Sequence, residues 1–327
     1  MGNFLEKCLY LYMHSNWAFR DKFFQIYFLP PICSTIYLGF TNCRLLVANY
    51  PLTKLPIYQM LPVSVTLSVA MNDSPAAAIE FAHVTYRING NRMLISDLNL
   101  SVRHGETLML LGRSGSGKTT TLKLINRLLT ESEGHVLVDG RSTAAWDVIQ
   151  LRRHIGYAIQ EAGLFPHYTV QDNVALVPRL ERWDSQRIAT RVREVLHLVG
   201  LPYEEFAGRY PDELSGGQRQ RVGLARALAA DPEILLMDEP FGALDPITRA
   251  ELQQEFLGLK KKLSKTIVFV THDVAEALML GDRIALMDSG ELKGIFQPAE
   301  FLRSSHGAVQ PYVNAFRSTQ QILNSGA

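Results

Sequence analysis

Gly112-Arg113-Ser114-Gly115-Ser116-Gly117-Lys118-Thr119 fits the pattern GxxxxGK[ST] at every position. The apolar run Thr107–Leu111 leads into it, and apolar residues at helical spacing over 122–129 follow. The spacing predicts a strand, a loop and a helix that opens at Lys118. Glycines in such a loop let successive backbone N–H groups converge on one phosphate, and the helix N-terminus adds positive potential. Lys118 then reaches the outer phosphates of a nucleotide, and the Thr119 hydroxyl is a Mg²⁺ ligand.

Outward from this loop the chain alternates between strands and helices. Ile79, Phe81, Val84 and Tyr86, then Leu98, Leu100 and Val102, follow strand patterning. The runs 234–237 and 266–270 are short, apolar and bounded by polar residues, as buried parallel strands are. Ile188, Val192, Val195 and Val199 share one helical face. The order implies an α/β fold with a mostly parallel sheet. Asp238 ends the run 234–237 and Glu239 follows it. An acid at the carboxyl end of a parallel strand points into the ligand crevice. Asp238 is a candidate Mg²⁺ ligand there, and Glu239 is placed to polarise an attacking water.

Leu214-Ser215-Gly216-Gly217-Gln218 is the second anion-binding pattern, a Ser-Gly-Gly turn opening a helix over 218–230. It resembles the signature sequence of the ABC ATPase family and stands about twenty residues ahead of Asp238. The resemblance covers about residues 77–300. It implies a P-loop NTPase (RecA-like) core, an antiparallel β subdomain and a helical signature subdomain over about 165–222, with 301–327 as a tail. It also implies ATP and Mg²⁺. Gly112, Ser114, Gly115, Ser116, Gly117, Lys118, Thr119 and Thr120 become nucleotide contacts, and Tyr86 matches the aromatic residue that stacks on adenine. Gln160 matches the lid glutamine that meets Mg²⁺ and water, and His272 the switch histidine that senses the γ-phosphate. Glu239, His272 and Gln160 are thus the catalytic candidates; Thr119, Gln160 and Asp238 are the metal ligands. Gly242-Ala243-Leu244-Asp245 resembles the loop that couples two subunits. In the family two copies pair head-to-tail, so Ser215, Gly216, Gly217 and Gln218 of one close over the ATP of the other.

Composition, 47% hydrophobic and 20% charged, suits a packed globular core. Net charge is +1 and no basic stretch stands out, which argues against nucleic acid as the main partner. Cys8, Cys33 and Cys43 all lie in the first 45 residues at spacings that fit no zinc site. That first segment differs from the rest. Residues 1–70 hold two acids, Glu6 and Asp21, and 13 of the 30 aromatic residues, a mixture unlike a soluble domain. From Phe23 to Cys43 there is no charge, but Pro30-Pro31 would break a spanning helix. Three readings stay open: sequence upstream of a start at Met71, which is favoured; a membrane-associating arm; and an extra structural element.

Finer resemblance points to a transporter class. Ile155 to Gln160, Gly163-Leu164-Phe165-Pro166-His167 and Val177-Pro178-Arg179-Leu180 with Trp183 look like the ATPase subunits of importers for glycine betaine, choline, carnitine or proline betaine. Leu124-Ile125-Asn126-Arg127-Leu128 is similar as well. This implies integral-membrane permease subunits as partners and, indirectly, an extracytoplasmic solute-binding protein. The place implied is peripheral, on the cytoplasmic face of the plasma (inner) membrane. The turn at 163–167 reads either as a docking surface or as a loop anchored by Phe165. Only 27 residues follow Glu300, too few for the paired regulatory domains of many members, so sensing through such domains is expected to be absent. An importer ATPase for another solute, such as an amino acid, and a soluble ABC ATPase outside transport remain the alternatives.

Overall fold

The central strand, β3 (Thr107–Leu111), is buried at every residue, and its neighbours on both sides run parallel to it. The computed structural model describes residues 77–325, apart from Glu161 and Ala243; the readings made for 1–70 and for Ala243 fall outside them. The chain opens with β1 (Ala77–Ile88) and β2 (Arg92–Arg103), then β3, helix α1 (Lys118–Ile125), β4 (Glu133–Val138) and β5 (Arg141–Ser142). Helix α2 (Val148–His154) and β6 (Ile155–Ala158) follow. A helical stretch comes next: α3 (Val170–Val174), α4 (Leu176–Leu180), α5 (Ser185–Leu198), α6 (Tyr203–Phe206) and α7 (Gly216–Leu228). The chain then alternates through β7 (Ile234–Asp238), α8 (Pro246–Leu263), β8 (Thr266–Thr271), α9 (Val274–Leu280), β9 (Arg283–Asp288) and β10 (Glu291–Phe296). It closes with α10 (Pro298–Arg303) and α11 (Gln310–Ser325).

Two sheets form. One is antiparallel, in the order β2-β1-β4-β5; the other has six strands, in the order β10-β9-β3-β8-β7-β6. Within the second, β9, β3, β8, β7 and β6 pair in parallel, and only the edge strand β10 is antiparallel. The α/β class, the mostly parallel sheet and the antiparallel subdomain expected from the sequence are all present.

Strand alternation sorts the core in two. Met109, Leu111, Leu235, Met237, Ile267 and Phe269 face the helical side, with Val192, Val195, Val222 and Phe256. Leu108, Leu110, Leu236, Val268 and Val270 face the other way, onto Ile79, Phe81, Ile95 and Leu98 of the antiparallel sheet. A sheet buried on both faces needs continuous apolar strands, which is why 107–111, 234–237 and 266–270 show no polar alternation.

Helix ends are tied down locally. The Asp245 carboxylate caps α8 by accepting from Ile247 N (3.1 Å) and Thr248 N (3.0 Å), with Pro246 at the first position. Arg191 of α5 donates to Leu228 O (2.9 Å), which also accepts from Asp231 N, and to Ala229 O (3.1 Å) just past the end of α7. Helix α1 stops at Ile125, short of the 122–129 span that the apolar spacing suggests; Arg127 is left-handed (φ 52°), and Leu128 and Leu129 both donate to Lys123 O. Among the described residues no helix is long and apolar enough to cross a membrane.

Phe241, Phe256 and Phe269 form an aromatic cluster with centroids 5.7 to 6.2 Å apart. It joins α8 and β8 to the turn that follows Glu239. Phe256→Ala should therefore cost about 3–5 kcal/mol of stability. A drop of that size in denaturant unfolding is expected, and a loss under 1 kcal/mol would show that the cluster does not anchor the turn.

Candidate functional site

Parallel pairing aligns the carboxyl ends of β3, β8, β7 and β6, four neighbours in one sheet. Each end carries one group singled out in the sequence. After β3 comes the glycine loop, after β8 His272, at the end of β7 Asp238 and Glu239, and after β6 Gln160. A cleft of about 780 Å³ opens there. It is lined by Gly112, Ser114, Gly115, Gly117, Lys118, Thr119 and Thr120 of the loop and helix start, and by Gln160, Glu239 and His272.

The glycine loop is shaped by close contact. Gly117 has φ 101°, and a Cβ there would stand 2.6 Å from Ile95 Cδ1. Only glycine lets the loop turn into α1 against the antiparallel sheet. The Lys118 ammonium is buried and donates to Gly112 O (2.8 Å) and Arg113 O (2.9 Å). Burial lowers its pKa, against the opposing pull of Glu239 and Asp238. The lysine is thus held across its own loop, with its charge poorly solvated, where a phosphate would compensate it. Ser116, expected among the nucleotide contacts, does not line the cleft; its Oγ is buried within the loop with no hydrogen-bond partner.

Thr119 Oγ1 donates to Asp238 Oδ1 at 2.9 Å, and Tyr157 OH donates to Asp238 Oδ2 at 3.3 Å. Burial raises the Asp238 pKa, while these two hydroxyls oppose the rise. Burial and the neighbouring Asp238 push the Tyr157 phenol up in turn. Thr119 and Asp238 bring two hard oxygens together, a donor set that suits Mg²⁺. Glu239 adopts a left-handed backbone (φ 44°), held by its N–H donating to Val270 O at 3.1 Å. Such strain in a non-glycine residue clusters at functional sites. Its Oε2 lies 3.1 Å from His272 Nδ1.

The loop carrying Gln160 is fastened to α7. Gln220 Nε2 donates to Gln160 O (2.6 Å), and Arg226 donates to Ala162 O (2.6 Å) and Gly163 O (2.7 Å). Burial lowers the Arg226 pKa. Ser215 caps α7: its Oγ accepts from Gln218 N (3.2 Å), and Gln218 Oε1 accepts from Ser215 N (2.9 Å). That leaves the first amides of the helix without an intrahelical acceptor. None of Ser215, Gly216, Gly217 or Gln218 lines the cleft. Farther along, buried Asn173 donates to Phe165 O, Tyr168 O and Thr169 O, which fixes the backbone of that turn. The Phe165 ring is left 41% exposed.

One assignment needs correcting. Tyr86 does not line the cleft; it packs half-buried against the core between the sheets. Its partner on β2 is Ile95, whereas the next residue, Arg87, pairs with Met93, so a bulge intervenes between the tyrosine and the strand end. Ile88, Arg92 and Leu94 line the cleft instead, joined by Tyr312 of α11. The Asn89-Gly90 pair, a hairpin signal, could have placed Ile88 and Arg92 at the tip. Tyr157 and Tyr312 had no comparable signal.

A glycine loop cradling a buried lysine, beside a threonine–aspartate pair and a strained glutamate, defines a P-loop nucleotide-binding fold. The ABC transporter family profile matches residues 95–242. A carnitine transport ATP-binding protein of Listeria monocytogenes is 50% identical over 226 residues, 69% of this chain and 57% of the relative. A choline transport ATP-binding protein of Bacillus subtilis is 47% identical over 76% of this chain and 64% of its own. A glycine betaine uptake system ATP-binding protein of Escherichia coli is 52% identical over 65% of this chain and 69% of its own. Thus the chain spans 57% and 64% of the first two relatives' lengths. Among solved structures, an ATP-binding cassette determined as a dimer in a post-hydrolysis state with ADP and Pi is similar at TM-score 0.61 and 34% identity. That match covers 67% of this chain and 98% of the other. The chain belongs to the ABC transporter family of ATP-binding proteins.

Gly117→Ala should weaken binding of a fluorescent ATP analogue roughly tenfold or more, because left-handed backbone costs a side chain about 1–2 kcal/mol before the clash with Ile95 is counted. Unchanged affinity would show that the loop does not need this turn to hold phosphate.

Proposed function

We propose that this chain hydrolyses ATP to drive import of a quaternary-amine osmoprotectant, such as glycine betaine, choline or carnitine, through a separate permease. The observation that carries the catalytic part is the convergence of Lys118, Thr119 and the Glu239–His272 pair on one cleft, with Asp238 hydrogen-bonded to Thr119. Lys118 leaves its own carbonyls for the β- and γ-phosphates. Thr119, Asp238 and Gln160 are the residues suited to Mg²⁺, which when bound offsets charge on the phosphate oxygens. Glu239 accepts a proton from water as the water oxygen bonds to the γ-phosphorus. The bridging oxygen leaves with the bonding pair. His272 orients Glu239 and meets the γ-phosphate.

The substrate part rests on the relatives, which carry carnitine, choline and glycine betaine in their names. The motor acts as a head-to-tail dimer. Ser215 to Gln218 present free helix amides away from their own cleft, so a second copy is the natural source of a nucleotide for them; the dimeric state of the related cassette supports this pairing. Exposed Phe165, on a turn whose backbone Asn173 holds rigid, suits docking to permease subunits. The dimer then sits peripherally on the cytoplasmic face of the membrane, with a solute-binding protein on the far side.

Glu239→Gln should retain ATP and lose turnover by roughly 10²–10⁴-fold, the scale of a general base; near-normal phosphate release would remove Glu239 from that role. A mixture of Lys118→Ala and Ser215→Arg chains, each inactive alone, should regain activity by forming one intact composite site. Full activity in monomers at high dilution would refute the shared site. For the substrate, cells lacking this chain should lose uptake of a quaternary amine under osmotic stress; intact uptake of all three, with loss of an amino acid instead, overturns the assignment.

A further inference from the structure

We propose that Tyr157 is a positioning residue for the metal: its hydroxyl fixes the Asp238 carboxylate beside Thr119 and so sets the affinity of the nucleotide-loaded cleft for a divalent cation. This rests on the reading of the cleft as a Mg²⁺–nucleotide site.

The register of the parallel sheet brings the two side chains together. Tyr157 of β6 pairs with Leu236 of β7, so Asp238 follows Leu236 on the same face of the sheet. A diagonal neighbour of that kind is within reach of a long aromatic side chain. Tyr157 OH donates to Asp238 Oδ2 at 3.3 Å, and Thr119 Oγ1 donates to Asp238 Oδ1 at 2.9 Å. The phenol is the donor, because burial and the neighbouring Asp238 push its pKa up. The tyrosine is half-buried and packs against the core between the sheets. It does not line the cleft, so it acts only through the aspartate.

One donor leaves a carboxylate free to turn about its last bond; two donors, one on each oxygen, fix its plane. Each carboxylate oxygen has about two acceptor positions, so each keeps one open when its hydroxyl is bound. Asp238 is buried, and a buried oxygen that loses its donor is costly to leave unmatched. Hydrogen bonds to a metal-binding carboxylate hold it in the ligating orientation, and losing one weakens metal binding roughly 10- to 100-fold. A phenylalanine would fill the same half-buried place, so packing alone does not account for the hydroxyl. Strand β6 also leads on to Gln160, a second route by which Tyr157 reaches the cleft.

The test is Tyr157→Phe in the full chain, loaded with ADP so that no hydrolysis intervenes and titrated with Mn²⁺ by electron paramagnetic resonance. Mn²⁺ should bind about tenfold more weakly than in the parent chain, while ADP affinity in EDTA stays within roughly twofold. That second value also shows that the variant folds. Hydrolysis should need about tenfold more Mg²⁺ for half-saturation, with turnover at saturating Mg²⁺ within roughly twofold of the parent. The loss of Mn²⁺ affinity should persist in a Gln160→Ala background, because the route through Asp238 does not pass through that loop. Unchanged Mn²⁺ affinity overturns the proposal. An equal fall of ADP affinity in EDTA overturns it too, since Tyr157 would then support the whole cleft. Disappearance of the loss in the Gln160→Ala background does the same by routing it through the loop. Failure of the ADP-loaded parent chain to bind Mn²⁺ would instead defeat the reading of a metal–nucleotide site, and the proposal with it.

Discussion

Parallel hydrogen bonding among β3, β8, β7 and β6 is the constraint on which the site depends. Parallel strands finish at the same edge of a sheet, so four chain segments far apart in sequence deliver their next residues to one place. Thr119 and Asp238 are 119 residues apart yet meet at 2.9 Å. His272 and Glu239 are 33 apart and meet at 3.1 Å. The ladder that places them has few side-chain alternatives. Every residue of β3, β7 and β8 is buried, and Asp238 is the only ionisable one among them. Its burial raises its pKa, and the hydroxyls of Thr119 and Tyr157, with the charge of Lys123, oppose that rise. Burial makes this acid costly to ionise, and groups perturbed in this way cluster where a ligand is bound.

Two further attachments make the cleft more than a row of strand ends. Helix α7 begins with the capped Ser215 and also grips the Gln160 loop through Gln220 and Arg226. The glutamine that lines the cleft and the Ser215 turn are therefore joined through one helix. Arg191 holds the other end of that helix to α5, and Arg221 ties it to Glu255 of α8. A displacement of the helical segment must then be felt at Gln160. The link consists of identifiable hydrogen bonds.

How much of this was legible depended on the range of the interaction. The phosphate loop is local: the glycines, Lys118 and Thr119 stand within eight residues, and strand and helix flank them. Asp238 and Glu239 were legible because an acid at the end of an apolar run has few roles. Helix α1 was read too long because the apolar spacing over 122–129 carries no mark of the left-handed turn at Arg127. Tyr86 was misplaced for a different reason. An aromatic residue near the end of β1 seemed the right kind, but strand ends are decided by bulges and turns. The partner jump between Tyr86 and Arg87 leaves the tyrosine against Ile95 and gives the cleft to Ile88. Tyr312 lies almost two hundred residues from the loop it touches, and no local pattern predicts that meeting.

The same core explains why the glutamate can be strained and still well placed. Glu239 has a left-handed backbone, yet it is flanked by Asp238 at the end of a fully buried strand and by Pro240 and Phe241. Phe241 is buried against Phe256 and Phe269, so the chain on both sides of the strained residue is anchored in hydrophobic packing. Pro240 narrows the backbone choices between the two anchors. The Glu239 amide, donating to Val270 O, continues the β7–β8 ladder one residue past the strand. Strain of order 1–2 kcal/mol is small beside the burial of one such phenylalanine. The carboxylate therefore projects from a fixed base into the cleft, and its remaining freedom is the side-chain rotation that His272 limits at 3.1 Å.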